Sequence, residues 1–154
     1  EVGYRSARYR ENHLVEIIRK LKRPYVRYTR ADEKNVRKAD CLIIDCFGLL
    51  SSIYRYGEIA YIGGGFGVGI HNTLEAAVYG IPVIFGPKYQ KFQEAIQLLE
   101  AKGAFSVKDY EELKTLLDRM LTDEVFLRES GMNASNYVTG NAGATDKIMS
   151  MINF

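Results

Sequence analysis

A glycine-rich segment followed by a short polar cluster holds the residues best suited to chemistry. Five glycines occupy the seven positions from 63 to 69, and His71, Asn72 and Glu75 follow closely. Glycine permits positive φ angles and lets a ligand approach the backbone, and a helix beginning near Asn72 offers unpaired N–H groups to an anion. This combination is typical of a loop that holds a phosphate group.

The loop matches neither of the common phosphate-binding patterns. No Gly-Lys-Ser/Thr ends it, which argues against a Walker-type NTPase, and its glycines miss the Gly-x-Gly-x-x-Gly register of dinucleotide sites. Two interpretations of Asn72 and Glu75 stay open. They form a capping box at a helix start, or they contact a ligand, for instance at ribose hydroxyls. His71 is likewise either an ordinary polar loop residue or a ligand contact.

Alternating helices and strands must position these residues. Apolar periodicity and turn residues predict helices over residues 10–21, 48–56, 72–79, 89–102 and from 110 towards Phe154, and strands at residues 25–29, 41–44, 59–62, 82–85 and 104–107. The charged segment 32–38 suits a turn or a helix. Such alternation implies parallel strands with helical crossovers. We therefore predict an α/β fold with a Rossmann-like doubly wound parallel sheet, in one domain spanning residues 1–154.

Two loops lie where ligands bind in such folds, at the carboxyl ends of strands. One is residues 45–48, after an uninterrupted apolar run at residues 41–44 that is typical of a strand covered on both faces. The other is residues 63–71. Each leads directly into a predicted helix.

Composition indicates a compact soluble domain. Of the 154 residues, 47% are hydrophobic and 26% are charged, and no stretch of roughly 20 apolar residues could span a membrane. No basic-then-apolar leader signals secretion, so Cys41 and Cys46 are expected to be reduced, buried thiols in the cytosol.

Charge is distributed unevenly along the chain. Residues 1–40 contain 12 Lys/Arg and 6 Asp/Glu, a net charge of +6, whereas residues 41–154 contain 9 and 13, a net charge of −4. The basic part either faces phosphates, anionic lipids or a partner domain, or is simply a solvated helix face. No nucleic-acid-binding module is recognisable, so no nucleic acid is expected as a partner.

Four segments together resemble one known family. They are residues 41–50, 54–65, 71–77 and 80–87, and the similarity runs from about residue 13 to the end. These segments resemble the C-terminal domain of 3-deoxy-D-manno-octulosonic acid (Kdo) transferases, which is the C-terminal half of a GT-B fold. The predicted helix and strand around Glu75 and Pro82 are shared more loosely by many GT-B glycosyltransferases.

The resemblance implies an inverting glycosyltransferase of lipopolysaccharide biosynthesis that needs no metal or cofactor. Its donor is CMP-Kdo, and its acceptor is a lipid A precursor, reached through an N-terminal domain absent from this chain. That domain is expected to supply the general base, so the catalytic residue is unknown and the isolated domain is expected to be inactive. The complete protein is expected at the membrane surface, on the cytoplasmic face of the bacterial inner membrane, with this domain soluble.

Site residues follow partly from the resemblance and partly from the loop. The family holds CMP through segments that match Phe47, Gly48 and Leu49, and Asn72, Thr73, Leu74 and Glu75. Lys91 lies where the family approaches the donor sugar. The phosphate-loop reasoning adds Gly63, Gly64, Gly65 and His71.

Two departures from the family pattern limit this transfer. Many members have Gly-Glu-Leu where this chain has Gly48-Leu49-Leu50, and residues 4–9 do not match a further CMP-contacting segment, so no site residue is assigned there. Two alternative functions stay open: a GT-B transferase or epimerase acting on a UDP-sugar, and a non-catalytic nucleotide-binding module.

Overall fold

The computed structural model describes residues 2–152, in two compact units that divide after Leu49. The first unit contains α1 (Val2–Lys20), β1 (Tyr25–Arg27), a 3-10 turn (Tyr28–Arg30), α2 (Glu33–Val36) and β2 (Cys41–Ile43). Its strands pair in parallel, with Arg27 opposite Ile43. The first helix is longer than the predicted residues 10–21. Asp32 and Asn35 form a capping box that starts α2, so the charged segment is helical.

The second unit contains a three-stranded parallel sheet and five helices among the described residues. Its elements are α3 (Leu50–Ile53), a 3-10 turn (Tyr54–Tyr56), β3 (Ala60–Ile62), α4 (Leu74–Ala77), β4 (Val83–Phe85), α5 (Gln93–Glu100), β5 (Ala104–Ser106), α6 (Tyr110–Thr122) and α7 (Glu124–Ile152). The strand order is β3-β4-β5. Because parallel neighbours require crossovers, helices separate the strands. The predicted α/β fold with parallel strands is confirmed, although the hydrogen-bonded strands form two sheets.

The burial of the central strand β4 explains why its sequence is apolar throughout. Val83, Ile84 and Phe85 are all fully buried. Successive side chains of a strand point to opposite faces, so Val83 and Phe85 join one hydrophobic cluster and Ile84 joins another, with Val107 and Met120. A strand covered on both faces needs an uninterrupted apolar run.

The expectation that β2 is covered in the same way is wrong. Leu42 is 47% exposed, and Cys41 is only partly buried. The described part of its unit contains one other strand and two helices, and these leave the Leu42 side of β2 exposed. Cys46 is also only half-buried, and both cysteines are free thiols, which corrects the prediction of buried ones.

Three predicted helices are shorter than their patterns, and the one over residues 48–56 is only α3 followed by the 3-10 turn Tyr54–Tyr56. The helix predicted over residues 72–79 is the single turn α4, since Gly80 follows with a positive φ of 72°. The helix predicted over residues 89–102 begins at Gln93, because the Gln90 side chain instead closes a turn by donating to the Pro87 carbonyl oxygen at 2.8 Å.

Small residues allow the C-terminal helix α7 to pack closely against the rest of the second unit. A Cβ at Gly103 would lie 2.6 Å from the backbone of Ala134, and the backbone of Gly131 lies against Gly80. The predicted helical tail is described as far as Ile152, and Phe154 lies outside the described residues. Among the helices described, none combines the length and apolar character that a bilayer crossing requires.

Candidate functional site

The glycine loop after β3 is closed by its own backbone. The Gly64 carbonyl oxygen accepts hydrogen bonds from the N–H groups of Gly67 at 2.9 Å and Gly69 at 3.1 Å, and His71 N–H donates to the Gly63 oxygen. Gly64 and Gly69 have φ angles of +91° and +137°, which favour glycine. Three loop N–H groups are therefore already used, and a ligand must find its donors elsewhere in the segment.

Gly65 is required for a contact between two backbones. A Cβ built on it would lie 2.6 Å from Gly86 Cα, at the end of β4. The Gly65 carbonyl oxygen also accepts from Lys88 N–H at 2.9 Å. Gly65 is buried and ties the loop to the neighbouring strand, whereas Gly63 is exposed.

Asn72 and Glu75 do not form the capping box that their spacing allows. The Asn72 Oδ1 accepts from Leu74 N–H at 3.0 Å rather than from Glu75 N–H, and Thr73 is the residue that precedes the helix. Among the described residues, none forms a hydrogen bond with the Glu75 side chain, so the second half of the box is missing too. Thr73 makes no side-chain cap and is buried. The partly buried Glu75 carboxylate is therefore not committed to capping.

Tyr54 lies in the electrostatic field of Glu75. Burial, and secondly the negative charge of Glu75, raise the pKa of the Tyr54 phenol. Sequence reasoning did not single out Tyr54 as a site residue, because the two residues are far apart in sequence. Its only signal was its place within the segment 54–65.

Two cavities flank the glycine loop. One of about 370 Å³ is lined by Ile70, His71, Asn72, Thr73, Leu74, Phe92 and Glu94. The other, of about 300 Å³, is lined by Gly67, Val68, Gly69, Lys88, Gln90, Lys91 and Phe92. Four predicted site residues thus share the first cavity, and Lys91 lines the second. Glu75 lines neither of them.

Phe92 contributes to both cavities, and sequence reasoning missed it. Its ring lies against Gly69, where a Cβ would meet the ring at 2.9 Å. The sequence pattern predicts residue 92 inside a helix, whereas it precedes the first turn of α5 in extended conformation. Glu94 was also missed, and it adds a carboxylate to the cavity that contains His71.

The first unit contains the other predicted loop. Phe47 is 82% exposed, and Gly48 has a φ of +85° with nothing within 4 Å of its Cβ position. Glycine is needed there for conformation rather than for space. Leu49 is partly buried. The loop begins at Asp45, whose carboxylate is held by Arg27 and Thr29.

A larger cavity of about 550 Å³ lies away from these loops, along α6. Two of its carboxylates are occupied at the start of that helix. Asp109 accepts from Glu112 N–H at 2.8 Å, and Glu112 accepts from Lys108 N–H at 2.9 Å. Volume alone therefore does not identify the site.

Comparison with known proteins finds similar sequences. No family model matches the chain. A 3-deoxy-D-manno-octulosonic acid transferase of Aquifex aeolicus is 42% identical over 87 residues, which are 55% of this chain and 25% of that protein. The protein of the same name from Rickettsia bellii is 32% identical over 116 residues, or 73% of this chain and 28% of that protein. The chain thus spans about a quarter of the length of these curated relatives.

A solved structure has the same fold. The C-terminal CMP-Kdo binding domain of WaaA from Acinetobacter baumannii aligns with a TM-score of 0.71, over 84% of this chain and 68% of that one. The sequences are 19% identical in this alignment. At that identity the likeness shows the fold alone.

Proposed function

We propose that this chain, which is homologous to the 3-deoxy-D-manno-octulosonic acid transferases, is the CMP-Kdo-binding part of such an enzyme. The observation that carries the proposal is a fold match over 84% of the chain to a CMP-Kdo binding domain, together with 42% identity to a named transferase. In this proposal the chain corresponds to the C-terminal half of a GT-B glycosyltransferase.

Within the second unit, we propose that the nucleotide contacts the segment from Gly63 to Glu75. His71 and Asn72 are exposed and line the same cavity. Because the Asn72 Oδ1 already accepts a hydrogen bond, its Nδ2 is the group left to donate to a ligand. Glu75 is suited to accept bonds from ribose hydroxyls, since capping does not occupy its carboxylate.

The donor sugar is proposed to lie near the basic cavity beside the glycine loop. Lys91 and Lys88 are exposed there and supply positive charge. In the first unit, the exposed turn Phe47-Gly48-Leu49 is proposed to contact the nucleotide through its backbone, because Leu49 offers no polar side chain.

The proposed reaction moves charge onto the nucleotide. An acceptor hydroxyl oxygen bonds to the anomeric carbon of Kdo while the bond from that carbon to the phosphate oxygen breaks. CMP leaves with the electron pair, and the hydroxyl proton passes to a base. Donors fixed in advance stabilise the leaving phosphate. Since α4 is a single turn, individual N–H and side-chain donors matter more here than a helix dipole.

We also propose the kind of acceptor and the origin of the general base. The family resemblance implies a lipid A precursor as acceptor and a base in an N-terminal domain, with the complete enzyme at a membrane surface. The basic residues 1–40 are consistent with a nearby anionic surface or partner domain.

Isothermal titration with CMP and with UDP tests the proposal. We expect the chain to bind CMP and to bind UDP more weakly. Lys91→Ala should weaken binding of CMP-Kdo more than that of CMP, whereas Lys114→Ala, an exposed lysine on α6, should change neither. Tighter binding of UDP would instead favour a UDP-sugar enzyme, and binding of neither nucleotide would refute the proposal.

A further inference from the structure

The Asp45 carboxylate accepts three hydrogen bonds at the start of the proposed nucleotide-binding turn. Arg27 Nε donates to Oδ2 at 2.7 Å, Thr29 N–H donates to Oδ1 at 3.0 Å, and the Thr29 hydroxyl donates to Oδ2 at 2.7 Å. The Asp45 side chain is 1% exposed. A carboxylate hidden from water in this way is rigidly oriented by its donors.

Arg27 uses three of its five N–H donors in bonds to carboxylates of this network. Its Nη1 and Nη2 donate to the two carboxylate oxygens of Glu11 at 2.8 and 3.1 Å, while Nε contacts Asp45. The Arg27 side chain is 17% exposed, and two carboxylates balance its charge. Arg27 is therefore poorly placed to bind a phosphate directly, although it belongs to the basic part of the sequence.

The network links the ends of two paired strands. Arg27 lies opposite Ile43 in the parallel register, so Thr29 and Asp45 both lie two residues beyond that pair. From Asp45 the chain bends through Cys46, Phe47 and Gly48, and Gly48 has a positive φ of 85°. The direction of this turn depends on where the Asp45 backbone is held.

We propose that Thr29 and Arg27 are positioning residues for nucleotide binding. By holding Asp45, they orient the turn Phe47-Gly48-Leu49 before the ligand arrives. A preorganised turn loses less conformational freedom on binding, so the network raises affinity without touching the nucleotide. This inference rests on the proposed function, because it requires that the turn contact CMP.

The test compares two substitutions at Thr29. Thr29→Val keeps the size of the side chain but removes the hydroxyl donor, whereas Thr29→Ser restores that donor. We expect Thr29→Val to weaken CMP binding by about threefold to tenfold, because only the part of the lost hydrogen-bond energy that loosens the turn reaches the ligand, and Thr29→Ser to remain within about twofold of the unsubstituted chain. Arg27→Lys provides a second variant, since lysine keeps the charge but not the planar fork.

Two further measurements separate positioning from stability. Denaturant unfolding reports how much of each variant is folded at the assay temperature. The ¹H–¹⁵N resonance of the Gly48 amide should shift or broaden in Thr29→Val and return in Thr29→Ser, because it reports the turn directly.

The outcomes are distinct. If the unsubstituted chain fails to bind CMP, the proposed function falls and this inference falls with it. If the chain binds CMP and Thr29→Val binds equally well, only the positioning role is refuted. Weaker binding that the folded fraction explains entirely, with an unchanged Gly48 resonance, also refutes the positioning role.

Discussion

Gly65→Ala should damage the protein far more than the same change two residues later. A Cβ at residue 65 would lie 2.6 Å from Gly86 Cα, whereas nonbonded carbon atoms prefer about 3.5–4.0 Å. Relief of this clash requires a backbone shift of about 1 Å. Gly86 cannot yield easily, because it follows the fully buried Phe85. Overpacking of this kind costs about 1–3 kcal/mol or more in unfolding free energy.

Gly67→Ala is the matched control within the same loop. The nearest atom to its Cβ would be the Gly64 carbonyl oxygen at 3.7 Å, an ordinary contact, and its φ is not positive. We expect that variant to stay within about 1 kcal/mol of the parent, since glycine-to-alanine changes at compatible positions stabilise by reducing the entropy of the unfolded chain.

Thermal unfolding by calorimetry measures the difference between the two variants. At about 2–4 °C per kcal/mol for a chain of this size, Gly65→Ala should lower the midpoint by about 2–12 °C. CMP titration should show weaker binding in that variant, because the loop must move to relieve the clash. If Gly65→Ala unfolds at the same temperature as Gly67→Ala, the backbone contact between β4 and the loop has been misjudged.

Three further predictions concern single side chains. Asn72→Ala removes the acceptor of Leu74 N–H, so denaturant unfolding should show a loss of about 0.5–2 kcal/mol; an unchanged midpoint would contradict the capping role. Hydrogen bonds from the Thr29 hydroxyl, and then from its N–H, hold the pKa of Asp45 well below its usual range. The ionised Asp45 carboxylate therefore contributes its whole stabilisation of the folded state above the unfolded pKa of about 4, and this stabilisation is lost as pH falls through the lower pKa of the folded state. Calorimetry should show Asp45→Asn melting below the parent at pH 7, with the gap narrowing under acid; a constant gap would refute this. Finally, Glu75→Gln should lower the raised pKa of Tyr54 only partly, because burial is the larger cause. Absorbance at 295 nm, with Tyr54→Phe to identify the signal, should detect this shift, and complete restoration would assign the cause to charge alone.

Sequence patterns predicted well the elements that depend mainly on the burial of apolar side chains. The strand predicted at residues 82–85 is confirmed as β4, and its residues Val83, Ile84 and Phe85 are fully buried. The similar apolar run at residues 41–44 led to the wrong prediction that β2 is covered on both faces. Burial depends on the elements that pack around a strand and not only on the composition of the strand. Leu42 is accordingly half-exposed.

Contacts between distant residues explain what the patterns missed. The short α4 ends before Gly80, whose positive φ of 72° the spacing of apolar residues does not predict. Phe92 meets Gly69 only after both chain segments fold. The Thr29–Asp45 contact was more accessible to prediction, since both residues follow the last paired residues of β1 and β2, Arg27 and Ile43, by two positions.

The close packing of α7 against glycine residues limits how the sequence can change in evolution. A Cβ at Gly103 would meet the backbone of Ala134, and a Cβ at Gly131 would meet the Gly80 carbonyl oxygen, while Gly80 itself needs glycine for its positive φ of 72° rather than for space. Enlarging Gly103 or Gly131 therefore demands retreat of the other backbone, which a single substitution cannot provide. Homologues should conserve small residues at these four positions jointly, or change them in pairs, while the exposed face of the same helix drifts freely.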